Sequence, residues 1–331
     1  MKGTDKLTIR DIAEKANVST ATVSRIINKK GGYSAETEKL VMDIVLGNNY
    51  TVPEKNSEKV VGILIQDITN SWFAKVAADL EEQLYKNGYA ACIYTTGEKI
   101  SKTKWYFDEC MRRRFAGIIV VSPTLEIAEK AKTAKIPVIF IDRTPAQKTD
   151  VINVEYDHYT GGYMATDCLI RKGCKNIMFL GMESNNPAIQ SRYEGYLDAL
   201  NDYKIPVSKS LIIELEANSR MYDTAHQRVY YLMKKRLRFD GIFASTDLRA
   251  LGALHALQQN DVKVPDEVKI VGFDDIPLAK WAAPSLTTIR QDTSEMAIAT
   301  VKTLMQLLSA PDELKNRHIV LPVSLIDRGT T

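Results

Sequence analysis

The stretch TIRDIAEKANVSTATVSRIIN, Thr8 to Asn28, decides how the first part of this chain folds. Ile9, Ile12, Ala13 and Ala16 recur at helical spacing on one side, with charged residues on the other, which predicts a short docking helix. Asn17-Val18-Ser19 then supplies a turn and an N-cap, and a second helix starts at Thr20. Its inward positions are Val23, Ile26 and Ile27, which leaves Thr20, Ala21, Ser24, Arg25 and Asn28 outward. A third helix is expected from Ala35 to Leu46, capped by Ser34, with Leu40, Val41, Ile44 and Val45 closing a small core. On periodicity alone, any three-helix bundle fits.

The outward set narrows the choice chemically. From Ser19 to Tyr33 there is no acidic residue, while Arg25, Lys29 and Lys30 are present. Small, neutral or basic side chains enter a major groove without repelling phosphate. Arg25 can fork to guanine, and Ser, Thr and Asn side chains can bond phosphates or base edges.

These residues resemble the head of the lactose-repressor (LacI/GalR-type) family. That head reads Thr-Ile-x-Asp-Ile/Val-Ala-x-x-Ala-x-Val-Ser-x-x-Thr-Val-Ser-Arg-x-Ile/Leu-Asn, and Thr8 through Asn28 follows it, as do Ser34, Thr37, Val41 and Asn49-Tyr50. The resemblance implies a DNA-binding set that begins at Thr8. In it Thr20, Ala21 and Arg25 read bases; Ser19, Thr22, Ser24, Asn28, Ser34 and Thr37 hold phosphates; and Tyr50 faces the backbone near the operator centre. One departure stands out. The family usually continues with a hinge helix whose leucine wedges into the minor groove, whereas Thr51 to Lys59 is short, polar and proline-punctuated, with only Val52 as an apolar side chain. Little or no hinge-driven kinking of DNA is therefore expected.

The whole chain of 331 residues, 45% hydrophobic and 26% charged, is large enough for two or three domains. A formal charge of +3 announces no partner by itself. No signal-like or membrane-spanning apolar run is present, so a cytoplasmic protein is expected. Cys92, Cys110, Cys168 and Cys174 read as reduced packing residues, the four histidines do not cluster, and neither a metal site nor a cofactor is expected. Arg112-Arg113-Arg114 and Lys234-Lys235-Arg236 read as solvated helix ends.

From Val60 onward the pattern changes. Strand candidates are Val60–Gln66, Tyr89–Thr95, Ala116–Val121, Pro137–Ile141, Asn176–Leu180, Leu211–Leu215, Asp240–Ala244 and Val268–Gly272. Amphipathic helices fill most gaps, a last helix is expected over Asp292–Leu308, and a strand over His318–Val323. Apolar strands alternating with helices imply an α/β fold with two parallel sheets, one from Val60 to about Tyr156 and one from Thr160 to Gln291. The expected organisation is a helix-turn-helix head over residues 1–50, a linker over 51–59 and a two-lobed core over 60–331.

In open parallel sheets ligands sit beyond the carboxyl ends of strands. There the sequence places Asn70, Trp72 and Phe73, Asp142-Arg143, Thr246-Asp247 and Asp274-Asp275, with Arg192 arriving on a helix. Carboxylates, guanidinium forks and an aromatic face suit a polyhydroxylated ligand. Each residue has a plainer use too: Trp72 and Phe73 as core, Asp142-Arg143 and Arg192 as ion pairs between lobes, Asp247 as a helix N-cap. Of the two neighbouring carboxylates, Asp274 is preferred to Asp275 as the ligand group.

Core segments such as Val271-Gly272-Phe273-Asp274-Asp275 and Pro284 to Gln291 extend the family resemblance, which implies a core similar to periplasmic sugar-binding proteins. Its effector contacts map onto Asn70, Trp72, Phe73, Asp142, Arg143, Asp157, Arg192, Thr246 and Asp274. The chain departs from common family residues at Asp157-His158 and Thr246, and Glu216 falls near a position where several relatives offer an aromatic lid. Implied partners are a palindromic operator, a sugar-like effector and a second copy of the chain, with no membrane. An enzyme on this fold lacks its motifs: there is no Gly-x-Gly-x-x-Gly, no Gly-Lys-Ser/Thr loop, no Gly-x-Ser-x-Gly and no His-Glu-x-x-His. A transport solute-binding protein is argued against by the head.

Overall fold

The computed structural model describes residues 8–27, 31–47, 59–97, 99–143, 151–183, 185–215, 220–310 and 318–331; Asn28, Tyr50, Glu216 and the linker up to Glu58 lie outside them. The chain divides into two units, Met1–Asn56 and Ser57–Thr331.

In the first unit, α1 (Ile9–Lys15) starts where Thr8 and Asp11 cap each other: the Asp11 amide donates to Thr8 Oγ1 at 3.3 Å and the Thr8 amide to Asp11 Oδ2 at 2.6 Å. Asn17, at φ 51°, turns the chain, a left-handed conformation that Asn tolerates. α2 (Thr20–Ile27) and α3 (Ala35–Gly47) begin alike, with Ser19 Oγ accepting from the Thr22 amide at 3.1 Å and Ser34 Oγ from the Thr37 amide at 3.2 Å. Ile12, Val23 and Val41 are fully buried at the centre. Leu40 does not join them as the sequence suggested. It is 49% exposed, because Val41 and Val45, four apart, take the inward line of α3 and Leu40 falls to its side.

In the second unit, β1 (Val60–Ile65), β2 (Ala90–Thr95), β3 (Gly117–Val121), β4 (Val138–Asp142) and β5 (Ile152–Tyr156) build one sheet with the late strand β11 (His318–Leu321), in the order β11-β5-β4-β3-β1-β2. All its neighbours are parallel. The other sheet takes β6 (Ile177–Met182), β7 (Ile212–Glu214), β8 (Gly241–Ala244), β9 (Lys269–Asp274), β10 (Thr287–Arg290) and β12 (Ser324–Ile326), in the order β12-β10-β9-β8-β6-β7. It is parallel except for β12, which runs antiparallel to β10. Helices α4 (Ser71–Lys86), α5 (Ile100–Arg112), α6 (Leu125–Ala131) and α12 (Thr293–Ser309) flank the first sheet. The second is flanked by α7 (His158–Arg171), α8 (Pro187–Asp202), α9 (Met221–Lys234), α10 (Asp247–Gln258) and α11 (Pro277–Trp281). Strands covered on both faces read as apolar runs, and Val61, Ile63, Leu64 and Ile65 of β1 are accordingly buried.

The chain passes between the sheets at Asp157, at 291–292 and at 322–323. These crossings are bonded to each other: Tyr156 Oη donates to the Asp292 carbonyl at 2.6 Å, and the Asp157 amide to the Leu321 carbonyl at 2.9 Å. Strands β5, β10 and β12 were not expected from sequence, and the predicted strand His318–Val323 stops at Leu321 before the third crossing. The cysteines are free. Among the described residues no three His, Cys, Asp or Glu side chains are arranged for a metal, and no helix is long and apolar enough to cross a membrane. Contrary to the sequence expectation, two histidines do meet: His226 of α9 and His255 of α10 have ring centroids 4.6 Å apart.

Candidate functional site

A cavity of about 890 Å³ lies where the carboxyl ends of the two sheets face each other. Pockets of this size suit a small ligand. Of the residues expected there, Asn70, Trp72, Phe73, Asp142, Arg143, Arg192, Thr246 and Asp274 line it.

From the first sheet, Asn70 caps α4 by accepting from the Trp72 amide at 3.0 Å, which fixes the start of the helix at the cavity wall. Trp72 and Phe73 meet edge to face, centroids 5.2 Å apart. Trp72 serves the core and the wall together: it is 6% exposed, and its indole Nε1 has no partner. Asp142 ends β4 at φ 81°, a left-handed conformation uncommon for a side-chain-bearing residue and typical of functional sites. Ser122 Oγ donates to its carboxylate, and Arg143 Nη2 reaches the Ser122 carbonyl at 3.3 Å.

From the second sheet, Arg192 is placed by the close approach of α7 and α8. A Cβ on Gly162 would stand 2.0 Å from the Arg192 carbonyl oxygen, and one on Gly195 2.1 Å from that of Tyr159, so only glycine permits this contact. The buried guanidinium of Arg192 donates through Nη1 to the Ser245 carbonyl at 2.5 Å, faces His158 Nδ1 at 3.3 and 3.4 Å, and lies 3.9 Å from Asp274. The Arg192–Asp274 pair is thus formed within one lobe, not between the two.

His158 Nε2 lies 2.9 Å from the Asp142 carbonyl, which can only accept, so the proton sits on Nε2 and Nδ1 offers its lone pair to Arg192. Burial, with Arg192 beside it, pulls the imidazole down to about 3 and keeps it neutral. His158 was noted in the sequence only as a departure from the common family residue, with no such role.

Asp274, at φ 123°, accepts from Gln291 Nε2 at 2.7 Å and from the Asp247 amide. Burial pushes its carboxyl up to about 7, with Arg192 opposing and Asp142 adding to the rise. Asp142 is likewise raised by burial against the pull of Arg143. Asp275 is occupied elsewhere, by Arg290 at 2.7 Å and Arg328 at 2.5 Å.

Two expectations are corrected. Asp157 is not among the lining residues: it sits at a crossing and caps α7, accepting from the Thr160 amide at 2.9 Å, while its neighbour His158 turns inward. Asp247 is not an N-cap, a role taken by Thr246, whose Oγ1 accepts from the Arg249 amide at 3.4 Å. Asp247 is fully buried and accepts from the Ile276 amide at 2.9 Å and Thr288 Oγ1 at 2.5 Å. Gln66, Ser122, Glu183 and Gln291 also line the cavity and were missed; each directly follows a strand, the position that the carboxyl-end rule singles out, but the strand before Gln291 was not itself expected.

In the head, Thr8, Ser19, Thr20, Ala21, Arg25 and Ser34 are exposed, and Thr22, Ser24 and Thr37 half-buried. The hydroxyls of Thr22 and Thr37 lie 2.9 and 2.8 Å from those of the capping serines, so the two helix starts present matching hydroxyl pairs.

Known proteins agree with this architecture. Residues 8–60 match a family profile described as bacterial regulatory proteins, lacI family, and residues 166–331 one described as a periplasmic binding protein-like domain. The ribose operon repressor of Halalkalibacterium halodurans is 30% identical over 98% of this chain and 97% of its own length. The HTH-type transcriptional repressor PurR of Pasteurella multocida is 30% identical over 92% of this chain and 93% of its own. A LacI family transcriptional regulator from Enterococcus faecium, solved with bound ribose, aligns with a TM-score of 0.71 at 27% identity over 82% of this chain and 98% of that one. With its head, its two-sheet core and full-length relatives in accord, this chain belongs to the lacI family of bacterial regulatory proteins, which are DNA-binding repressors and not enzymes.

Proposed function

We propose that this protein is a cytoplasmic repressor that binds a palindromic operator as a homodimer and releases or tightens that grip when a sugar-like effector enters the core. Residues 1–50 act as the head, 51–59 as the linker and 60–331 as the sensor. The observation that carries the effector reading is the convergence of Arg192, Asp274, Asp142 and the Trp72–Phe73 wall on one cavity. Fixed donor forks and carboxylates bond sugar hydroxyls while an aromatic face covers their CH side. The Halalkalibacterium relative is named for a ribose operon and the Enterococcus neighbour holds ribose, which supports a sugar.

On the DNA side, Thr20, Ala21 and Arg25 read bases in the major groove and Thr8, Ser19, Thr22, Ser24, Asn28, Ser34, Thr37 and Tyr50 hold the backbone. Closure of the lobes about the bonded crossings alters the spacing of two heads and so couples the sites. With Val52 the sole apolar side chain between Thr51 and Lys59, operator DNA is bent little, and a sharp central kink in a bending assay counts against that.

The test is salt-dependent retention of a palindromic probe selected from a random pool, abolished by Arg25→Ala. Failure to retain any DNA overturns the reading. For the cavity, Asp274→Ala and Arg192→Ala must weaken the sugar that raises the melting temperature.

A further inference from the structure

Resting on the effector reading above, we infer that the cavity takes an uncharged, unphosphorylated sugar and rejects the phosphate esters of the same sugars, with Asp142 and Asp274 as the residues that set this selectivity. The charge balance points there first. Among the described lining residues, Asp67, Asp142, Glu183, Glu214 and Asp274 supply carboxylates, against the guanidinium groups of Arg143 and Arg192 and no lysine. Glu183 is neutralised by buried Arg249, which leaves four carboxylates facing two cations. Arg192 is already engaged by the Ser245 carbonyl, His158 and Asp274.

Phosphate is commonly bound at helix N-termini by free amides. Three of the termini that border this cavity, those of α4, α8 and α10, are closed by caps: Asn70 on the Trp72 amide, Asn186 on the Ile189 amide at 3.4 Å, and Thr246 on the Arg249 amide. At α10 the first-turn Asp247 amide bonds the Asp274 carboxyl, so the anion at that helix start is the protein's own. Asp142 and Asp274 come from opposite sheets, and the Asp142 charge raises the cost of ionising Asp274. A dianionic phosphate near them adds like charge in a poorly solvated place.

The unpaired polar atoms agree. Trp72 Nε1 is a buried donor without an acceptor, and Gln291 Oε1 a buried acceptor without a donor, on residues 6% and 3% exposed. Hydroxyl groups of one sugar can serve both, because a hydroxyl donates as well as accepts.

The experiment is calorimetric titration of the full chain at about pH 8.5, above the raised Asp274 carboxyl, with D-ribose, D-glucose and D-fructose, each beside its terminal phosphate ester. The expected result is that at least one free sugar binds and its ester binds weaker by about a hundredfold or more. In Asp142→Asn and in Asp274→Asn that ratio shrinks to about tenfold or less, because one like charge is gone. An ester that binds as well as its parent sugar, or a panel in which no free sugar binds, overturns the proposal. The comparison in the unmodified protein needs no variant to fold. Retention of selected DNA is measured separately, so a repressor with a different effector is told apart from a protein that is no repressor.

Discussion

The guanidinium carbon of Arg192 lies 3.6 Å from the centroid of the Phe273 ring, so the side chain that faces Asp274 is also held from below by an aromatic face. A lysine keeps the charge but loses both the stack and the fork. Arg192→Lys is expected to fold and to weaken the effector by roughly 10- to 100-fold, the equivalent of about 1.4–3 kcal/mol. Arg192→Ala leaves the Asp142 and Asp274 carboxyls without their shared counter-charge and costs roughly 3–5 kcal/mol of stability. Urea midpoints and calorimetric affinities for both variants check this, and equal behaviour of the two would contradict it.

Asp274 and His158 tilt the pH dependence of stability in opposite directions. A carboxyl raised from 3.8 to about 7 keeps its proton in the folded protein where the unfolded chain has lost it, so its contribution falls as pH rises from about 4 through 7. An imidazole lowered from 6.5 to about 3 stays bare in the folded protein while the unfolded chain is protonated, so its contribution grows as pH rises from about 3 to 6.5. Between about pH 4 and 6.5 the two oppose each other. Asp274→Asn therefore gives a steeper rise of the urea midpoint between about pH 4.5 and 6.5 than the unmodified protein shows. Parallel pH profiles would refute the assignment.

Gly162 tests how packing positions a distant donor. A Cβ there overlaps the backbone of Arg192, so Gly162→Ala has to push α8 away from α7. Overpacking of this kind costs roughly 1–3 kcal/mol. Because α8 carries Arg192, effector affinity drops as well, by about tenfold or more, although no ligand-facing atom has changed. A stable variant with unaltered affinity would show that the helix contact does not position the guanidinium.

The head rests on few side chains. Ile12→Ala empties the middle of a core built on Ile12, Val23 and Val41, at roughly 2–5 kcal/mol, a large share of what so small a bundle holds. DNA retention should be lost while the melting of the sugar-stabilised core stays where it was. Loss of both would mean that the two units do not fold independently.

Much of this was readable from the chain because periodicity and burial agree. The head helices and the strands around β1, β3, β4 and β8 are apolar where they are buried and capped where they start. β5 hid because its run, Ile152-Asn-Val-Glu-Tyr156, carries Asn153, a buried polar residue, and Glu155 among its apolar positions; β10 hid because Thr287 and Thr288 are buried polar residues bonded by Thr330 and Asp247. β12 is a three-residue edge strand, too short to show a pattern.

In the cavity, Arg192 and Asp274 could be named from sequence, but the exchange between Asp157 and His158 could not. Which of two adjacent residues turns inward depends on where a helix begins, and a one-residue choice of cap reverses it. Gln66 and Ser122 were within reach, since predicted strands end at or beside them, whereas Gln291 follows the hidden β10 and Glu183 follows β6, which runs two residues past its predicted end.

The bonds from Tyr156 to Asp292 and from Asp157 to Leu321 give the core a mechanical character. Separate ribbons could slide, twist or fold independently, whereas ribbons laced together share one spine, as the pages of a book do. Such lacing is expected to favour opening and shutting of the halves over sideways shear. An effector in the cleft then works on a single coordinate, and stiffness along it belongs to side chains that touch neither sugar nor DNA. Loosening that spine, as Tyr156→Phe would, alters how firmly a signal is passed while leaving both ends able to bind.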